Sequence, residues 1–484
     1  MRTLSFSFLF ICLLFSSTVF SQWDKYPTFD VYITMMEKFG TDYPELCRII
    51  EIGESVQGRK LLIAKVSDNA GTHEKEPGFL YLAAIHGDET LGYILMLHLI
   101  DYLLSNYGTD TLVTKLVDNI EIFIDPLVNP DGTYNSGNST VTGARRYNAN
   151  NVDLCRNFPG MPGGGPTPIP EKETEALMDF AKAQHLILSA DLHSGSEMII
   201  YPSRVFENCS TACVDNSWFN HICTEYSEIA FNASNGTYNL SVIPDSTIYS
   251  VVNGNWTYFA LQYLHCRSIM LELSTQKLLP ESQLSRYWDY NYKALLRYVE
   301  QALYGIQGTV TDSITGEPLN AKVFVENHDK DSSIVYSLLP HGDYYRPIFQ
   351  GTYDVTFSAD GYKSKTIKAV QIQNNEVIVL DVKLTKGSTG VFNKTENNVV
   401  LTVNNCNGFV RITYNSEFVN NMEISIVDVS GKVIRNVSTE KGNRNRTIVW
   451  NGLDNNGHIV SNGCYVIRVE NKENIITKRF IFSR

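Results

Sequence analysis

After residue 21 no apolar run approaches the roughly 20 residues that a membrane-spanning helix needs, so no membrane span is expected. Basic charge is also in deficit: 40 Lys and Arg stand against 52 Asp and Glu, a net of −12. Such a chain lacks the broad positive surface that neutralises phosphates, and no nucleic acid is expected as a partner. Cysteine is sparse, at 9 in 484 residues, and no spacing repeats the C-x-x-C pattern of a structural zinc site. Internal repeats and biased tracts are missing too, which excludes a collagen, a coiled coil and a low-complexity chain.

What is present begins with an export signal. Arg2, the apolar run 4–15, and the small residues Val19 and Ser21 at the −3 and −1 positions mark residues 1–21 as a secretory signal peptide. A secreted or cell-surface location follows. Eight cysteines then remain for an oxidising compartment. Cys209, Cys213 and Cys223 crowd one expected loop and are the candidates for pairing among themselves, with buried free thiols as the alternative.

The pattern along the chain predicts an α/β fold with a mixed, mostly parallel sheet covered by helices on both faces, followed by two small all-β sandwich domains. Strand-like runs at 78–86, 120–124, 185–192 and 267–273 alternate with helical patterns at 91–104, 172–183 and 290–303. After Tyr304 short alternating segments broken by turn residues take over. The expected divisions are a catalytic domain over 22–304, a β-sandwich over 305–386, a linker over 387–398, and a C-terminal sandwich over 399–484.

Four places could carry chemistry. His86-Gly-Asp-Glu89 follows a buried strand, where open α/β sheets bind ligands, and both side chains can face one cation. His193 ends another apolar strand. Two imidazoles and a carboxylate make a tripod that leaves zinc's fourth position for water, whose pKa would fall to about 7. Glu272 lies inside the apolar strand 269–273, where an unpaired carboxylate is costly. It has either a task or an Arg partner. Arg145, Arg146 and Arg156 stand in an Asn-rich turn segment, and fixed guanidinium groups there can hold a carboxylate or stabilise an oxyanion.

These residues resemble those of the zinc metallocarboxypeptidases, nearest the regulatory carboxypeptidase N/E subfamily. The matches run in family order: His86-Gly-Asp-Glu89, Asn129-Pro-Asp-Gly132, Arg146-x-Asn148 with 152–159, Leu192-His193-Ser-Gly195, Tyr249-Ser-Val251 with Gly254 and Trp256, and Leu271-Glu-Leu273. The resemblance implies one zinc ion per catalytic domain on His86, Glu89 and His193, with Glu272 as general base and Arg146 on the scissile carbonyl. It implies Arg156 on the terminal carboxylate of a peptide or protein substrate, and Tyr249 closing over that substrate. Cys155 stands where the family has an Asn donor to the same carboxylate. The segment after Tyr249 is shorter than in the subfamily, so the polar groups associated there with basic side chains have no counterpart.

The segments 341–346, 351–355 and 358–362 resemble the transthyretin-like domain of that subfamily. Those at 424–431, 450–457 and 463–468 resemble a type IX secretion sorting domain, which would make an export machinery the second partner. Two other functions remain compatible with the sequence: a zinc amidohydrolase acting on cell-wall peptides or acyl-amino acids, and a non-catalytic surface peptide-binding protein of the same fold.

Overall fold

The structure is a computed structural model that describes residues 23–160, 168–203, 213–245, 254–387, 400–406, 409–415, 423–428, 432–437, 445–450, 452–461, 463–470 and 475–482. The signal peptide, all of the linker but Gly387, Cys209 and Tyr249 lie outside these residues.

Eight strands form the first sheet: β1 Cys47–Glu54, β2 Lys60–Val66, β3 Gly78–Ala83, β4 Glu121–Asp125, β5 Leu186–His193, β6 Ser196–Tyr201, β7 Ser241–Pro244 and β8 Arg267–Ser274. Their order is β1-β2-β4-β3-β5-β8-β6-β7. The central run β4-β3-β5-β8 is parallel, while β2 joins β4 and β6 joins β8 antiparallel. The expected mixed sheet is therefore parallel where its strands are most enclosed.

Among the described residues eight α-helices accompany it: α1 Phe29–Asp42, α2 Leu91–Asn106, α3 Thr111–Val117, α4 Pro130–Thr133, α5 Lys172–Ala183, α6 Asn216–Ala233, α7 Trp256–Tyr263 and α8 Leu284–Glu300. Side chains alternate across a strand, and β3 shows what that does here. Phe79, Tyr81 and Ala83 enter one core with α2, α6 and α8, whereas Leu80 and Leu82 enter a second core with α5 and α7. Both faces are covered, which explains the near-continuous apolar runs of these strands.

Helix α8 starts six residues before the predicted position, because Leu284, Tyr287 and Trp288 already bury against the core. The expected loop of cysteines is corrected as well. Cys223 is fully buried inside α6 rather than in a loop, while Cys213 precedes that helix; both are buried free thiols, the alternative that the sequence left open.

Beyond α8, two four-stranded sheets enclose a core of Val310, Val323, Phe357 and Leu384. This unit docks on the first through buried charges. Arg346 Nη2 donates to Asp215 Oδ1 at 2.8 Å and Asp329 Oδ1 at 2.5 Å, and Arg267 Nη2 donates to Asp215 Oδ2 at 3.0 Å. A three-stranded and a four-stranded antiparallel sheet follow near the C-terminus, around Trp450, Ile467 and Phe482. Among the described residues no helix is long and apolar enough to cross a membrane.

Candidate metal centre

The chain leaves β3 through Ala84, whose φ is +54°, and turns so that His86 and Glu89 both face the end of β5. Gly87 allows this turn: a Cβ there would lie 2.4 Å from the backbone of Gly132. Asn129 ties the same place together, with its amide nitrogen 3.2 Å from both the Ile85 and Arg146 carbonyls and its oxygen accepting from the Gly132 amide. Two of the sequence motifs are thus the two halves of one backbone crossing.

His86 Nδ1 lies 3.0 Å from Glu89 Oε1, and His193 Nδ1 lies 2.8 Å from Glu89 Oε2. The two Nδ1 atoms face each other at 3.1 Å. Two imidazole nitrogens and a carboxylate converging this closely, all buried, suit a divalent cation with borderline-soft preferences, and the donor set fits zinc. The outer nitrogens are fixed by carboxylates: His86 Nε2 is 3.2 Å from Asp153 Oδ1, and His193 Nε2 is 2.9 Å from Asp191 Oδ2. Such partners set the tautomer and the ring orientation.

Electrostatics follow from this packing. Burial pulls the His86 imidazole down, but hydrogen bonds to Asp153, Cys155 and Glu89 outweigh it and push it up to about 10. His193 is likewise raised against its burial by Asp191, Cys155 and Glu89. Burial would raise Glu89, yet both histidines hold it below the usual carboxylate range. The acidic surroundings therefore stabilise positive charge at this point, which is what a cation supplies.

Glu272 stands on β8 directly beside His193 in register. Its Oε2 is buried without a hydrogen-bond partner, and no Arg pairs with Glu272 among the described residues. Burial raises its carboxyl, and His193 opposes that shift. Arg146 donates from Nε to Asp153 Oδ2 at 3.0 Å, and its Nη1 approaches His86 Nδ1 at 3.3 Å. Arg156 is tethered less tightly, with Nε 3.3 Å from Asp153 Oδ2 and its side chain 59% exposed. Its backbone is held against Gly254, whose carbonyl accepts from Phe158.

Cys155 occupies a short 3-10 turn, Leu154–Arg156, and is buried with its thiol toward His193 and His86. Burial raises that thiol, but hydrogen bonds to the two histidines bring it below its ordinary value. Three residues at the site were not singled out from the sequence: Asp153, Asp191 and Lys277. Lys277 donates to Glu89 Oε1 at 3.1 Å. Asp191 had a visible signal, a charge two places before His193 on the same face of an apolar strand.

Three family models match: "Zinc carboxypeptidase" over residues 32–294, "Carboxypeptidase regulatory-like domain" over 305–385 and "Secretion system C-terminal sorting domain" over 404–483. Carboxypeptidase D of Rattus norvegicus is 32% identical over 393 residues, a match covering 77% of this chain and 27% of that protein. The carboxypeptidase N catalytic chain of Homo sapiens is 32% identical over 385 residues, covering 71% of this chain and 82% of that one. Among solved structures, thrombin activatable fibrinolysis inhibitor has the same fold at a TM-score of 0.51 and 19% identity, covering 57% of this chain and 74% of that chain.

Proposed function

The chain belongs to the zinc carboxypeptidase family, and we propose that it is an exported metallocarboxypeptidase that removes single residues from the C-termini of peptides and proteins. The observation that carries this reading is the convergence of His86, Glu89 and His193, with Glu272 as the register partner of His193. When bound there, zinc supplies Lewis acidity, polarising a carbonyl and lowering the pKa of a water ligand to about 7.

The protein's own groups do the rest. Glu272, raised by burial and with Oε2 unpartnered, is suited to take a proton from the attacking water and return it to the leaving amine. Arg146 directs a guanidinium nitrogen at the same space and stabilises the oxyanion. Arg156, exposed and tethered through Asp153, grips the free carboxylate bidentately. Cys155 borders that pocket with a weak donor in place of an amide. Tyr249, to which the resemblance gives a contact with the bound peptide, lies outside the described residues.

The sorting-domain match supports export through a type IX system, with the signal peptide directing the first step. A peptide panel with free and amidated C-termini tests the activity by mass spectrometry. Loss of one residue from free termini alone is expected. Internal cleavage, or equal cleavage of amidated termini, would overturn it.

A further inference from the structure

Behind the proposed catalytic cluster lies a second group of metal-binding side chains that shares one member with it. Ligand atoms of Cys155, Asp191 and His193 all lie within 4.8 Å of one another, and all three residues are buried. Asp191 is 0% exposed, and while its Oδ2 pairs with His193 Nε2, its Oδ1 has no hydrogen-bond partner among the described residues. A buried carboxylate oxygen without a donor is costly and is normally satisfied by something. Cys155 contributes a thiol at a place where the family resemblance leads one to expect an amide.

We propose that Cys155, Asp191 and His193 form a second, inhibitory cation site for a soft divalent ion, such as cadmium or zinc in excess. The inference rests on the proposed zinc reading of His86, Glu89 and His193. In that arrangement the His193 ring serves two cations, through Nδ1 on the proposed catalytic side and Nε2 on the other. Thiolate, imidazole and carboxylate together select zinc-like and softer ions over magnesium or calcium. Tetrahedral bonds of about 2.0–2.3 Å place ligand atoms about 3.3–3.8 Å apart. The ligand atoms of the three residues, all within 4.8 Å of one another, lie close to that spacing.

The chemistry of occupation balances simply. The thiol proton of Cys155 and the Nε2 proton of His193 leave to solvent, the His193 to Asp191 hydrogen bond breaks, and bonds from the ion to sulfur, nitrogen and oxygen form. No oxidation or reduction occurs. Inhibition follows because Asp191 ceases to orient His193 from behind, and losing such a partner lowers metal affinity or activity by about 10–100-fold.

The test uses the full chain, stripped with a chelator, loaded with one equivalent of zinc and titrated with cadmium chloride. Bound metals are counted after gel filtration, and thiolate-to-cadmium absorption is followed in the near ultraviolet. One cadmium should bind while the zinc stays, with the absorption rising to one equivalent and activity falling by about 10–100-fold. Cys155→Ser should keep its zinc, bind no cadmium and show no such absorption, and Cys155→Ala provides the same comparison should the serine variant not fold. The proposal is overturned if the wild type takes up no cadmium beyond its zinc. It is also overturned if the absorption persists in both variants, or if cadmium appears only by expelling the zinc. A chain that fails to take up the first zinc refutes the catalytic-metal reading itself, an outcome distinct from the others.

Discussion

His193 and Glu272 are register partners on the parallel strands β5 and β8, so the metal-facing imidazole and the buried carboxylate are set side by side by backbone pairing alone. His86 and Glu89 reach the same point from the turn after β3, the other neighbour of β5. Two adjacent strands and the turn after a third therefore deliver the site.

Asp191 is expected to matter through His193. Asp191→Asn weakens the acceptor at 2.9 Å from Nε2 and should reduce zinc affinity by about 10–100-fold, as read by competition with a chelator. An affinity unchanged within twofold would show that the carboxylate does not support the ring.

Gly254 tests the proposed carboxylate grip. Its φ is +85°, and an added Cβ would lie 2.7 Å from the Arg156 carbonyl. Gly254→Ala should displace Arg156 and lower kcat/KM by up to about 10²-fold with zinc content unchanged. Steady-state kinetics alongside metal analysis separate the two.

How much of this was legible beforehand can be judged from particular residues. The apolar runs of β3, β5 and β8 announced enclosed strands, and His86, Glu89, His193 and Glu272 stood out as polar groups at their ends or within them. Asp153 and Lys277 gave no such signal, because each lies in a polar loop and acquires its role only when the fold brings it beside His86 or Glu89. Strand β1 alternates only loosely between buried and exposed positions, which is why its pairing with β2 was not apparent. The position of Cys223 was misjudged for a related reason: a cysteine in a helix core looks the same in sequence as one in a loop.

Arg346 should hold the second unit on the first. Removing it, as in Arg346→Met, takes the guanidinium from the buried Asp329 and leaves Asp215 with Arg267 alone, and should cost about 3–5 kcal/mol. Chemical denaturation of the full chain reads this directly. A change below about 1 kcal/mol would mean that the two units are held by other contacts.

Asp125 predicts a pH dependence of stability. Burial raises its carboxyl from 3.8 to about 7, against one hydrogen bond from the Leu127 amide. The folded state thus binds the proton more tightly than the unfolded one. The stability it confers is full below about pH 4 and is lost as pH rises through about 7, by on the order of 4 kcal/mol. Asp125→Asn should therefore be more stable than the wild type at pH 8 and nearly equal to it at pH 4. Urea titrations at both values check the sign.

The most direct measurement is made on Glu272→Gln, with bound zinc and peptide hydrolysis determined on the same sample. One zinc per chain together with a loss of about 10²–10⁴ in kcat is the predicted result, since the ligands stay and only the base is removed. Full activity with zinc bound would contradict the account at its centre.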